Sequence, residues 1–204
     1  MSSLWAQFWA ERHPPADPVH VSYKDNAVRT PAWVGHEAAV KYAALGANPL
    51  ILVVRTQTKG EQAKADIIRR TKCSADIFTI VTVDLADIAS VKALGHRLTT
   101  HSRVRQLHVA QLAANDAQWQ YESSPDGYEV TLAVNFLSQA LLAMLLQPVT
   151  RAAAAAATPG GFVPHLSFFH SIAGFEVTAD WLPRGQSLIQ RCNDKGKWDS
   201  TKQY

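Results

Sequence analysis

A chain of 204 residues with 47% hydrophobic and 18% charged residues is long enough to fold as one domain with a buried core. The formal net charge is only +3 and the Lys and Arg residues are scattered, so we expect no nucleic-acid-binding face. Two cysteines are too few for a disulfide framework and fit a reducing compartment, which predicts a cytoplasmic protein. The apolar runs are shorter than the roughly 18–20 residues of a membrane span, and no acid and histidine spacing indicates a metal site.

Apolar runs and helix-forming segments alternate from residue 36 to residue 172. The runs are short and almost entirely apolar, as in strands that are buried on both faces. Ser124, Pro125 and Asp126 form a typical helix start, with Ser as the N-cap and Pro at the first helical position. In chain order we predict a helix over 36–45, a strand over 48–55, a helix over 58–72, a strand over 77–85, a helix over 88–98, a strand over 106–113, a helix from 124 towards 148, and a strand over 164–171.

Strands that alternate with helices over short loops predict an α/β fold, a doubly wound parallel sheet with helices on both faces. In such sheets, ligands bind beyond the carboxyl ends of the strands, where the strand order reverses. The residues that directly follow the predicted strands are therefore candidates for a binding site. They are Arg55, Asp84, Ala113 to Asn115, and Ser171.

Four stretches, in this order, resemble the short-chain dehydrogenase/reductase family, and especially its retinol-dehydrogenase-like fungal members. They read GHEAAVKYAALGANPLILVVRTQTKGEQA, VTVDLAD, DGYEVTLAVNFLSQALL and HLSFFHSIAG, and Tyr204 stands where that family begins its Tyr-x-x-x-Lys pair. The resemblance implies a single Rossmann-type dinucleotide-binding domain over residues 21–204. Residues 1–20, with their apolar patch around Trp5 and Trp9, are interpreted as a docking segment.

The resemblance implies an oxidoreductase that acts on a carbonyl or alcohol of a small lipophilic metabolite. Ser171 matches the family's catalytic Ser, whose hydroxyl can donate a hydrogen bond to a carbonyl oxygen. Tyr204 matches the proton-transferring Tyr, and Asn135 matches the helix Asn that holds a proton-relay water. Two structural alternatives stay open from the residues alone: Ser171 as the cap of a strand end, and Asn135 as a buried amide bonded to the backbone.

The implied cofactor is NADP(H). Arg55 follows a strand at the place where a cation can pair with a ribose 2′-phosphate, whereas an acid would bind the 2′-hydroxyl of NAD. Lys59 is a second cation nearby, and Asp84 matches the acid that contacts the adenine end. For Arg55 the alternative is a solvated cation, and for Asp84 it is a helix cap. Further cofactor-binding candidates are Val34, Gly35 and Asn115.

The sequence departs from the family pattern at both ends. Of the three glycines of the family's cofactor turn, Gly35 remains, while Arg29 and Trp33 occupy the other two positions. Residues 25–28 are too polar and short for a central strand, and Tyr204 is the last residue. We therefore expect a degraded first strand, a missing C-terminal part, and a sheet edge covered by a second copy or a partner. The alternative function is a catalytically inactive remnant or interaction module that no longer binds the dinucleotide.

Overall fold

The computed structural model describes residues 18–21, 33–100, 106–157, 163–169 and 178–203. Within them, five parallel strands form one sheet in the order β3-β2-β1-β4-β5, so the strand order reverses between β1 and β4. This is the order of a doubly wound sheet. The strands are β1 (Pro18–Val21), β2 (Leu50–Val54), β3 (Phe78–Thr82), β4 (Val109–Leu112) and β5 (His165–Phe168).

Helices connect the strands, as the alternation in the sequence predicts. The long connection between β4 and β5 contains one long helix, α4. Its residues 133–137 have π-helical hydrogen bonding. The helices are α1 (Trp33–Ala44), α2 (Gln57–Thr71), α3 (Ile88–Thr100), α4 (Val130–Ala156), α5 (Leu188–Cys192) and α6 (Ser200–Gln203). Short 3-10 turns lie at Ala75–Ile77, Ala179–Trp181 and Lys195–Lys197.

The alternation of side chains along β2 shows that helices cover both faces of the sheet. Every residue of β2 is buried. Ile51 and Val53 point into a cluster with the buried faces of α3 and α4. Leu50 and Leu52 point into a second cluster with α1 and α2. The predicted doubly wound architecture is thus confirmed, and β2 is apolar throughout because neither of its faces meets water.

We expected a degraded first strand at the polar residues 25–28, and the first strand that the structure describes lies upstream of them. Pro18–Val21 pairs in parallel with β2 on one side and with β4 on the other, so it is the central strand. The predicted domain boundary at residue 20 falls inside this strand. The sheet therefore includes residues from Pro18 onwards, and ladder pairing with two neighbours holds a strand of only four residues in place.

The start of α4 differs from the prediction. Ser124–Pro125–Asp126–Gly127 is a tight turn, in which the Gly127 N–H donates to the Ser124 carbonyl at 3.0 Å. Gly127 has a φ of 79°, a left-handed conformation that cannot continue a right-handed helix. The helix begins only at Val130, after its N-cap Glu129. The Ser-Pro-Asp pattern suits both the first turn of a helix and a β-turn with Pro at its second position.

The helix α4 is the one element in the described part of the chain that is long and apolar enough to cross a membrane by length and composition. Half of its most apolar window is buried within the domain. Leu142 and Leu146 are almost fully buried in the cluster against the sheet. This burial is what the core helix of a globular domain shows, and it agrees with the prediction that the apolar content serves a core.

Candidate functional site

Three of the predicted site residues follow strands of the sheet at the carboxyl edge that these strands share. Arg55 comes directly after β2 and is exposed, while Asp84 and Asn115 follow β3 and β4 and are half-buried. Since all strands run in parallel, their carboxyl ends share this edge. The strand order reverses between β1 and β4, and doubly wound folds bind their ligands beyond the carboxyl ends of the strands at such a reversal.

The start of α2 presents two cations. Thr56 is its N-cap, and its Oγ1 accepts a hydrogen bond from the Lys59 N–H at 3.4 Å. Arg55 precedes this cap, Lys59 lies in the first turn, and that turn contains no acidic residue. A helix N-terminus carries a partial positive charge and unsatisfied N–H groups. Together with the two cations, it is chemically suited to a phosphate group.

Asp84 and Asp87 shape the loop that leads from β3 into α3. Asp84 Oδ1 accepts from the Ala86 N–H at 2.9 Å, and the Asp84 N–H donates to Ser90 Oγ at 2.9 Å. Asp87 Oδ1 accepts from the Ala89 N–H at 2.8 Å and caps the start of α3. The carboxylate of Asp84 therefore makes a local turn, and the capping role belongs to Asp87.

Asn135 locks α4 to the loop after β4. Its Oδ1 accepts from the Asp116 N–H at 2.7 Å, and its Nδ2 donates to the Asp116 carbonyl at 2.8 Å. This is the backbone-bonded arrangement that the sequence analysis left open. Asn135 also lies in the π-helical segment at residues 133–137, and such local widening of a helix occurs frequently at functional sites.

Two further side chains of α4, which the sequence analysis did not select, hold the same edge. Ser138 Oγ donates to the Leu85 carbonyl at 2.6 Å, and Gln139 Nε2 donates to the Ala114 carbonyl at 2.5 Å. Oε1 of Gln139 is buried and accepts no hydrogen bond from the described part of the chain. The signal was present, because polar residues at i, i+3 and i+4 from Asn135 share one face of an otherwise apolar helix.

Comparison with known proteins assigns this arrangement to a family. No protein-family model matches the sequence. The chain is 38% identical over 205 residues to the short-chain dehydrogenase/reductase ffsI of Aspergillus flavipes, an alignment that covers 100% of this chain and 59% of that protein. It is 36% identical over 173 residues to the short-chain dehydrogenase/reductase phmF of Phaeosphaeria nodorum, covering 85% of this chain and 50% of that protein. The chain belongs to the short-chain dehydrogenase/reductase family.

Solved structures of this family share the fold. A short chain dehydrogenase of Escherichia coli, complexed with NADPH, superposes with a TM-score of 0.55 at 19% identity, covering 91% of this chain and 69% of that one. A bulky-bulky ketone specific alcohol dehydrogenase of Comamonas testosteroni gives a TM-score of 0.55 at 15% identity, covering 89% and 62%. At these identities the likeness shows the Rossmann-type fold. The chain spans about three fifths of the length of ffsI and half that of phmF.

Of the remaining predicted site residues, the structure describes Val34 and Gly35. Gly35 is buried in the first turns of α1, and Val34 precedes it in the same helix. Ser171 and Tyr204 lie outside the described residues, as does Arg29. Among the described residues, no group of three or more His, Cys, Asp and Glu side chains could hold a metal ion.

Cys192 is a buried thiol at the end of α5. It is 4% exposed, and neither it nor Cys73 forms a disulfide. Burial raises the pKa of the Cys192 thiol to about 11, the negative charge of Glu129 adds to the rise, and Arg191 opposes it. A thiol with this pKa is protonated at neutral pH, so Cys192 is not suited to act as a nucleophile.

Proposed function

We propose that this protein is an NADP(H)-dependent oxidoreductase that interconverts a carbonyl and an alcohol on a small lipophilic metabolite, such as a secondary metabolite. The proposal rests on the positions of Arg55, Asp84 and Asn115, each of which follows a parallel strand of a sheet whose strand order reverses between β1 and β4. Family membership supports it, and the alternative of an inactive remnant is not favoured by the comparisons.

The cofactor preference is proposed from charge. Arg55 and Lys59 beside the N-terminus of α2 would hold the 2′-phosphate of NADP(H), which NAD(H) lacks. Asp84 would contact the adenine end, and Gly35 with Val34 would lie by the pyrophosphate. The Escherichia coli structure that shares the fold was solved with NADPH, and a second structure, from Shigella flexneri, with NADP. These ligands are properties of those proteins and serve here as support.

In the reducing direction, the proposed reaction adds a hydride and a proton to the carbonyl group of the substrate. A bound NADPH would supply the hydride for the carbonyl carbon and would be oxidised to NADP⁺. Ser171 donates a hydrogen bond to the carbonyl oxygen, and Tyr204 donates the proton that completes the hydroxyl group. Asn135, fixed on the backbone of Asp116, would place the water from which Tyr204 regains its proton. The carbonyl is thereby reduced to an alcohol.

We further propose one dinucleotide-binding domain that includes β1 and extends to residue 204, preceded by a docking segment, in a soluble cytoplasmic protein. For the partner we propose a second copy of the chain. Phe136 and Met144, eight residues apart on one face of α4, are 50% and 59% exposed, and Phe168 on the edge strand β5 is 41% exposed. Two copies would cover such apolar side chains.

Titration of the purified chain with NADPH, followed by nucleotide fluorescence, tests the proposal. We expect saturable binding with a dissociation constant in roughly the micromolar range and weaker binding of NADH. No change in fluorescence up to about millimolar NADPH would contradict the proposal and restore the inactive remnant. Sedimentation of the same sample, at two protein concentrations, tests whether two copies of the chain associate.

A further inference from the structure

Asn193 docks the C-terminal segment, residues 178–203, onto the loop that precedes α4. Its Oδ1 accepts from the Glu129 N–H at 2.9 Å, and its Nδ2 donates to the Gly127 carbonyl at 3.2 Å. Its own carbonyl accepts from the Tyr121 hydroxyl at 3.4 Å. One residue thus bonds to three positions of a loop that lies more than sixty residues earlier in the sequence.

The bond to Glu129 completes the N-terminus of α4. Glu129 is fully buried and caps the helix by accepting from the Leu132 N–H at 2.8 Å. In a capping box, a Glu or Gln at the third helical position bonds back to the N–H of the cap residue. Here that position is Leu132, which has no acceptor in its side chain. Asn193, from a distant segment, supplies the missing acceptor instead.

The same segment leads directly to Tyr204. After Asn193, the chain is held compact by Arg191, whose Nη1 donates to the Lys197 carbonyl at 2.8 Å. The ring of Trp198 then meets the ring of Tyr121 edge to face, with centroids 6.4 Å apart. The helix α6 follows and ends immediately before Tyr204 in the sequence. Both ends of the stretch 193–198 are therefore tied to the loop before α4.

We propose that Asn193 is a positioning residue that holds residues 193–198, the stretch that precedes α6 and Tyr204 in the sequence, at the N-terminus of α4, the helix that carries Asn135. The inference rests on the proposed function, in which Tyr204 transfers the proton and Asn135 places the relay water. Its physical basis is that Asn193 satisfies a buried backbone donor at the start of α4, so the segment has one preferred register on that helix. Small displacements of a proton-transferring group lower the rate steeply.

The test compares Asn193→Leu and Asn193→Asp with the control Gln190→Ala. Leu removes both side-chain hydrogen bonds at similar volume, whereas Asp keeps the acceptor for the Glu129 N–H and loses the donor to Gly127. Gln190→Ala breaks the capping box that Ser187 and Gln190 form in the same segment, without touching the loop before α4. The readouts are NADPH affinity, kcat and KM with acetophenone as a probe ketone, and amide hydrogen exchange.

We expect Asn193→Leu to lower kcat by about tenfold or more, with NADPH affinity changed less than about twofold, since the bonds of Asn193 are to the loop before α4. Asn193→Asp should fall between the wild type and Asn193→Leu, and Gln190→Ala should keep the wild-type kcat. Exchange at the Glu129 amide and at residues 195–203 should rise in Asn193→Leu, should rise less in Asn193→Asp, and should stay unchanged in Gln190→Ala.

The outcomes separate the inference from the proposed function. A wild type that fails to bind NADPH contradicts the proposed function, and hydrogen exchange then decides the inference without any turnover. Unchanged exchange at Glu129 in Asn193→Leu overturns the inference, as does an unchanged kcat in an active protein. If Asn193→Leu does not fold, Asn193→Asp decides: wild-type exchange, or a wild-type kcat in an active protein, despite the lost donor to Gly127 would overturn the inference.

Discussion

The side-chain amide of Asn135 and the backbone of Asp116 form a paired hydrogen bond, 2.7 Å and 2.8 Å long, between α4 and the loop after β4. An amide satisfies a backbone N–H and a carbonyl at once because it carries one acceptor and one donor group side by side. The pair fixes the π-helical turn of α4 at the carboxyl edge of the sheet. Four consequences of this and other contacts can be measured.

Replacing Asn135 by Ala removes both bonds and leaves the Asp116 backbone without these partners. We expect a loss of about 1–3 kcal/mol in the free energy of unfolding, the usual cost of an unsatisfied, partly buried polar group. Urea unfolding of the variant measures it. Gln147→Ala, an exposed change on the same helix, is the control and should stay within about 0.5 kcal/mol of the wild type. Equal stability of the Asn135→Ala variant would show that the pair contributes nothing to stability.

Gly95 allows α3 and α4 to approach closely. A Cβ at this position would lie 2.6 Å from Leu145 Cδ1 and 2.8 Å from Leu145 Cβ, so one helix would have to move. Gly95→Ala should destabilise the fold by about 1–3 kcal/mol, even though Ala favours helix over Gly by about 1 kcal/mol. Thermal unfolding checks the sign, and Leu145→Ala in the same chain should recover part of the loss. A Gly95→Ala protein more stable than the wild type would rule out the close contact.

Arg55 should determine the preference for NADPH over NADH. Arg55→Ala removes a cation at the start of α2, and we expect NADPH to bind about threefold to tenfold more weakly while NADH binding stays the same. Fluorescence titrations with the two nucleotides measure this difference. Thr58→Ala, an exposed neighbour in the same turn, is the matched control. Equal weakening of both nucleotides in Arg55→Ala would argue against a 2′-phosphate contact.

Asp66 joins α2 to α1 through a carboxylate whose acidity depends on the fold. Hydrogen bonds from His36, at 2.8 Å, and from Arg69 lower the pKa of Asp66 from its ordinary value of 3.8 to about 2. Because the pKa is lower in the folded state, this stabilisation is present above pH 3.8 and is lost as the pH falls through about 2. Asp66→Asn should therefore flatten the decline in stability across this interval.

Unfolding midpoints in urea at a series of acidic pH values measure that slope. Asp76→Asn, an exposed carboxylate in the turn before β3, is the control for the loss of one negative charge. An identical acid slope in the wild type and in Asp66→Asn would exclude the bond between the Asp66 carboxylate and His36 as a source of pH dependence. The effect should shrink at high salt, since the groups are at the surface.

The strands and most helices could be predicted because their signals are local. The run Leu50–Val54 is apolar at every position, and only a strand with both faces covered keeps five consecutive apolar residues. Parallel strands bring their carboxyl ends to one edge, so Arg55, Asp84 and Asn115 could be selected without any structure. The central strand Pro18–Val21 escaped this reasoning, because a short segment next to a proline becomes a strand only through pairing with β2 and β4.

Which polar side chains support the site was decided in three dimensions. The sequence marks Asn135 as an unusual residue in an apolar helix, but nothing local indicates that its partner is the backbone of Asp116. Likewise, a Ser-Pro-Asp start is compatible with a helix, and it became a turn because Gly127 takes a left-handed conformation.

The sequence by itself determined the class of fold, the strand ends that line the site and, through its motifs, the family. Periodicity and motif order are properties of neighbouring residues, and they survive without coordinates. The tertiary structure decided that Asn193 completes the cap of α4 and that Gly95 admits Leu145. Such contacts join residues far apart in the chain, and their energy depends on distance and burial, which no local pattern encodes.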